Sequence, residues 1–92
     1  MNSELDIRFQ KAVELANTMS QSNLPQDIQL RLYASYKQAI SGTTHPKTNY
    51  LNYLDLRSAF KMNAWLQISH LSQDEAKEMY ISLINECNNT SI

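Results

Sequence analysis

Leu32-Tyr33-Ala34-Ser35-Tyr36-Lys37-Gln38-Ala39-Ile40, followed by Ser41 and Gly42, is the segment around which the chain is organised. At about 3.6 residues per turn, Tyr33, Tyr36, Lys37 and Ile40 form one helical stripe, because neighbours three and four apart stack. A pure core face excludes Lys37, and a pure solvent face has no use for two tyrosines. The mixed stripe suits a ligand that is anionic at one end and apolar or aromatic at the other. Taken alone, it also has a plainer reading as half-buried tyrosines with wet hydroxyls beside a snorkelling lysine.

Working towards the N-terminus, Pro25 suits the first turn of this helix, where its missing N–H costs nothing, and Asp27 favours the positive end of the helix dipole. Ile28, Leu30 and Leu32 alternate as a strand would, but the alternation stops at Tyr33 and Gly42 is a natural C′ stop. A helix over residues 25–40 is the better reading. Before it, Leu5, Phe9, Ala12, Val13, Ala16 and Met19 share one face of a helix running from Ser3 to about Met19. Ser20-Gln21-Ser22-Asn23 is the break between them.

Towards the C-terminus, residues 41–52 are long for a helix–helix link, which usually takes about 2–8 residues. A crossover there would set the second and third helices parallel. The third helix is expected from near Tyr53 to about Ile68. It has a core stripe of Leu56, Phe60, Ala64 and Ile68, followed by Trp65, beside a basic stripe of Tyr53, Arg57 and Lys61. Ser72-Gln73-Asp74-Glu75 reads as a capping box, and Ala76, Met79, Tyr80, Leu83, Ile84 and Cys87 make the apolar face of a fourth helix.

Composition agrees with an all-α chain, since one glycine and two prolines in 92 residues leave little material for a turn-rich β fold. The length suits one domain, read as residues 3–88, and folding without staples. Cys87 is the lone cysteine, so no internal disulfide is expected. No basic-then-apolar leader follows Met1 and no apolar run approaches the ~20 residues of a membrane span, so a cytoplasmic location is expected. The net charge of −1 hides an asymmetry. Arg31, Lys37, Lys47, Arg57 and Lys61 in the middle are opposed there only by Asp55, while both ends are acidic. That excess is too small for a general nucleic-acid binder and suits a compact site for a few phosphates.

Four features occur in order: Phe9-x-Lys11-Ala12, Leu32-Tyr33-x-x-Tyr36-Lys37-Gln38-Ala39-x-x-Gly42, Lys61-x-x-Ala64-Trp65, and Ser72-x-x-Glu75-Ala76-x-x-x-Tyr80-Ile81. Together they resemble the acyl-CoA-binding protein family, over about residues 5–84. The resemblance implies a four-helix bundle with helices two and three parallel across a long connecting loop. It implies binding of medium- to long-chain fatty acyl-CoA in a carrier, buffering and pool-forming role in fatty acid metabolism and transport, with no catalysis and no other cofactor. Carried over by position, Tyr33, Tyr36 and Lys37 match residues near the adenine, 3′-phosphate and ester, with Ala34 and Ser35 in the same ligand-binding stretch. Lys61 and Tyr80 match other nucleotide contacts, and Arg57 stands where lysine is usual. Asn17 and Ala59 replace frequent lysines, Met62 replaces a frequent tryptophan, and Thr43 stands where aspartate is common. Leu30 and Ile40 are the candidates for the acyl-chain groove.

Other classes remain in view. A degenerate acyl-CoA-binding fold could act as a helical protein-interaction module, which the missing lysines motivate. A helix-turn-helix nucleic-acid binder is disfavoured by the acidic pI near 6.0. An enzyme is disfavoured because no nucleophile–base pair is visible: His45 and His70 lack a partner at metal spacing, and Cys87 lacks an activating histidine. The expected state is a monomer that binds no nucleic acid, has no membrane span and meets acyl-CoA-using enzymes transiently.

Overall fold

The computed structural model describes residues 3–41 and 56–92. These residues form α1 (Glu4–Thr18), a 3-10 turn (Gln21–Asn23), α2 (Gln26–Ser41), α3 (Leu56–Ile68) and α4 (Gln73–Asn88), with no strand among them. The all-α reading holds. The expected stop at Gly42, the long connection and the start of the third helix at Tyr53 lie outside the described residues.

Helix ends follow local chemistry. Ser3 caps α1 by accepting from the Asp6 N–H at 3.1 Å, with Glu4 and Asp6 in the first turn. The break after α1 is the 3-10 turn, and Pro25 sits just ahead of α2, its carbonyl accepting from the Gln29 N–H. The capping box of α4 is complete: Ser72 Oγ accepts from the Glu75 N–H at 3.1 Å, and the Glu75 carboxylate accepts from the Ser72 N–H at 2.9 Å. Those bonds hold the Glu75 carboxyl below its usual range. Asn89 ends α4 in the left-handed region at φ 54°, which asparagine tolerates.

The apolar core joins α1, α2 and α4. Phe9, Ala12 and Ala16 pack with Leu32 and Ala39, and with Ala76, Tyr80, Ile81, Leu83 and Ile84. The small alanines let the helices approach closely, and the larger side chains come mainly from α4. Two ion pairs fasten α1 to α4 at the surface, Asp6–Lys77 at 2.5 Å and Arg8–Glu78 at 3.2 Å. The hydrogen bond from Lys77 holds the Asp6 carboxyl below its ordinary range.

α3 is attached differently, which corrects the expected core stripe at Phe60, Ala64 and Ile68; the Leu56 side chain lies outside the described residues. Phe60 is 48% exposed, Ala64 and Ile68 are half-buried, and no described residue of α3 belongs to the core cluster. Trp65 is half-buried rather than a dominant core residue. A buried polar node ties α3 to α2. Gln38 on α2 is 1% exposed and accepts from the Trp65 Nε1–H at 2.9 Å. Its amide donates to the carbonyls of Ser69 at 3.1 Å and Leu71 at 2.7 Å. Gln73 adds a bond from its amide to the Ala39 carbonyl at 3.0 Å. Tyr33 meets Lys61 four positions before Gln38's partner Trp65, so chain position rises together along both helices. α2 and α3 are therefore parallel.

A buried glutamine in these bonds leaves several polar groups orphaned when removed, each costing about 1–3 kcal/mol. Gln38→Leu is expected to lower thermal stability and to red-shift the emission of Trp65, the single tryptophan. An unaltered melting temperature with unaltered emission would show that α3 is held by something else.

Candidate functional site

A cleft of about 880 Å³ opens where the four helices meet. Val13 and Asn17 of α1, Gln21 and Ser22 of the 3-10 turn, and Gln26, Gln29, Leu30, Leu32, Tyr33 and Tyr36 of α2 line it. Phe60 and Lys61 of α3 and Tyr80 of α4 complete the lining. One rim is therefore neutral amide and hydroxyl, and the other carries a cation beside an apolar ring.

Tyr36 and Tyr80 make an aromatic floor and pack against Phe9, a core ring that does not itself line this cleft. Phe9 meets the Tyr80 ring edge-on at 5.3 Å, and Tyr36 lies 5.9 Å from Tyr80 and 6.1 Å from Phe9. Such ring pairs contribute about 0.5–1.5 kcal/mol each beyond the area they bury. Tyr80 thus serves two purposes: it is 5% exposed, within the core, yet reaches the cleft. Burial, reinforced by neighbouring Tyr36, pushes its phenol up to about 12. Near neutral pH it is a protonated hydroxyl, able to donate or accept a hydrogen bond and carrying no charge that would repel an anion.

Above this floor two cations flank one ring. Lys61 Nζ lies 5.2 Å and Lys37 Nζ 5.8 Å from the Tyr33 centroid. The ring quadrupole favours both ammonium groups. Among the described residues neither lysine is ion-paired with a carboxylate, because the ion pairs there are those of Arg8 and Lys77. Two like charges about one ring form a positive focus fit for an anion with several oxygens, such as a phosphate.

The structure thus brings Tyr33, Tyr36, Lys61, Tyr80 and Leu30 to one cleft, with Lys37 against its Tyr33 wall. It separates others from them. Ala34 and Ser35 are 1% and 0% exposed, and the Ser35 hydroxyl bonds back to the carbonyls of Arg31 and Leu32. Both serve helix packing and present no surface to a ligand in the cleft. Ile40 lines a second cleft with Ile7, Gln10 and Lys11, so it does not share a groove with Leu30. Arg57 falls within α3 one turn before Lys61, but its side chain lies outside the described residues.

Sequence reasoning missed Val13, Asn17, Gln21, Ser22, Gln26, Gln29, Leu32 and Phe60 as lining residues. Gln26 and Gln29 were within reach, since they extend the Tyr33 stripe towards the N-terminus at helical spacing. Among the described residues no group of three histidine, cysteine or acidic side chains is placed to hold a metal, and no helix is long and apolar enough to cross a membrane.

The sequence model of the family described as "Acyl CoA binding protein" matches residues 6–84. An acyl-CoA-binding protein homolog of Manduca sexta is 36% identical over 70 residues, covering 75% of this chain and 77% of that protein. Acyl-CoA-binding domain-containing protein 4 of Oryza sativa subsp. japonica is 33% identical over 88 residues, covering 92% of this chain. The chain spans 25% of that rice protein's length. The crystal structure of Oryza sativa Acyl-CoA-Binding Protein 2 superposes with a TM-score of 0.78 at 28% identity, covering 89% of this chain and 86% of that one.

The raised Tyr80 ionisation has a direct consequence. In the unfolded chain this phenol loses its proton near its ordinary value of 10.0. Between that value and about 12 the folded state binds the additional proton, so Tyr80's contribution to stability is whole below pH 10 and is lost as pH rises towards 12. Phenolate absorbance should show a tyrosine titrating towards pH 12 that is lost in Tyr80→Phe. Loss of the Tyr80 proton at its ordinary value of 10.0, with the fold intact, would contradict this placement.

Proposed function

The chain belongs to the acyl-CoA-binding protein family, and on that premise we propose that it binds medium- to long-chain acyl-CoA esters as a non-catalytic carrier and buffer. The observation that carries the reading is the pair of ammonium groups of Lys37 and Lys61 about the Tyr33 ring, beside a cleft with an aromatic floor. A CoA thioester has the matching chemistry. Its 3′-phosphate and diphosphate call for cations, its adenine for ring faces, its amide-bearing arm for hydrogen-bonding partners, and its acyl chain for apolar walls.

The energies favour joint recognition. A charge-assisted hydrogen bond contributes about 1.5–3 kcal/mol. Stacking of a base on an aromatic ring contributes about 1–3 kcal/mol. Burying ten methylenes gives about 8 kcal/mol gross at ~0.8 each, reduced by lost translation, rotation and chain freedom. Neither the nucleotide nor the chain alone makes a tight complex, so the ester is held well and its two halves poorly. That difference is what a carrier requires: it retains the activated ester and releases free CoA and free acid. Leu30 supplies apolar wall for the chain, whereas Ile40 is too far along α2 to join it. In this proposal the domain acts as a cytoplasmic monomer, handing esters to the enzymes that consume them.

Titration calorimetry should give one-to-one binding of hexadecanoyl-CoA far tighter than binding of CoA or hexadecanoate. Equal affinity for the free acid would defeat the proposal. Lys61→Ala or Lys37→Ala should weaken ester binding about tenfold to a hundredfold, the equivalent of one charge-assisted bond, with helicity preserved. The ester at about a hundred times its Kd should also stabilise the fold by ~2.7 kcal/mol. No thermal shift at all would instead favour a protein-interaction module.

A further inference from the structure

We propose that Phe60 sets how steeply affinity rises with acyl-chain length, its ring closing over the chain at the cleft wall. The assignment rests on the ester-binding reading of the cleft. Phe60 is a large apolar side chain left 48% exposed, and it lines the cleft rather than the core. α3 is fixed to α2 by the Gln38 bonds, not by this ring, so the ring's outer face is free to meet a ligand.

The parallel pairing of α2 and α3 gives the cleft a direction. Tyr33 and Lys61 face each other at one level. Leu30, one turn before Tyr33, and Phe60, just before Lys61, supply apolar lining on the N-terminal side. A CoA ester whose phosphates meet Lys61 and Lys37, with its pantetheine arm folded back along the cleft, lays its acyl chain past Leu30 and Phe60. Consecutive residues on a helix differ by about 100° in direction and 1.5 Å in rise. One turn of α3 thus carries both the cation that holds the head and the ring that covers the chain. Loss of exposed ring surface on binding is favourable in proportion to the apolar area removed from water. A chain too short to pass the ring gains nothing from it.

The test is a chain-length series. Dissociation constants are measured for butanoyl-, octanoyl-, dodecanoyl- and hexadecanoyl-CoA with the wild type, Phe60→Ala and Phe60→Leu, with helicity followed by circular dichroism. Phe60→Ala should flatten the series, with little loss for the butanoyl ester and about a tenfold loss for the hexadecanoyl ester, ~1.4 kcal/mol. Phe60→Leu, which restores apolar bulk, should recover most of the slope. A loss of equal size at every chain length, or no loss, overturns the assignment while leaving ester binding standing. Esters that fail to bind the wild type at all overturn the ester-binding reading and the role of Phe60 with it.

Discussion

The placement of α3 depends on one buried amide. Gln38 is almost wholly enclosed, and its side chain bonds Trp65 on α3 and the carbonyls of Ser69 and Leu71 beyond it. Hydrogen bonds differ from apolar contacts in fixing direction as well as distance. A shift of α3 by one residue along α2 would leave the indole N–H and those carbonyls without partners in a buried setting, which costs far more than a slip between apolar surfaces. The register of α3 is thereby set, and with it the meeting of Lys61 and Tyr33.

That meeting produces a site with distinct ends. The core made by α1, α2 and α4 holds Tyr36 and Tyr80 as an aromatic floor, with Phe9 packed against both from within the core. On it stand Tyr33 and two ammonium groups without carboxylate partners among the described residues. Neutral amides line the α1 and α2 side, and Leu30 and Phe60 provide apolar wall. Charge, hydrogen-bonding groups and apolar surface arranged in one cleft fit an elongated amphiphile better than a compact polar metabolite. Binding of such a molecule would also link α3 to the other helices through the ligand, adding what the apolar core does not supply.

Local chemistry was legible in the sequence. Ser3, Pro25 and the Ser72–Glu75 box mark their helix starts because a cap depends on residues within a few positions. The face of α4 was legible because it packs on the core along its whole length. α3 was misread because periodicity shows two stripes and cannot say which one meets a neighbour; the Gln38 bonds decide that across about thirty residues of chain. Ile40 shares a stripe with Tyr33, but seven residues displace it about 10 Å along the axis, beyond the cleft. Ala34 and Ser35 lie between site residues in sequence and turn into the bundle, as adjacent positions on a helix must when one faces outward.

If the site works as its geometry suggests, side chains of α2, α3 and α4 converge on one ligand in one cleft. Backbone amide shifts followed by NMR during titration with hexadecanoyl-CoA test it most directly. The largest changes are expected to cluster at Tyr33, Lys37, Lys61 and Tyr80 and to saturate together at one equivalent. Changes centred instead on Ile7, Lys11 and Ile40 around the second cleft, or spread without saturation, would contradict it.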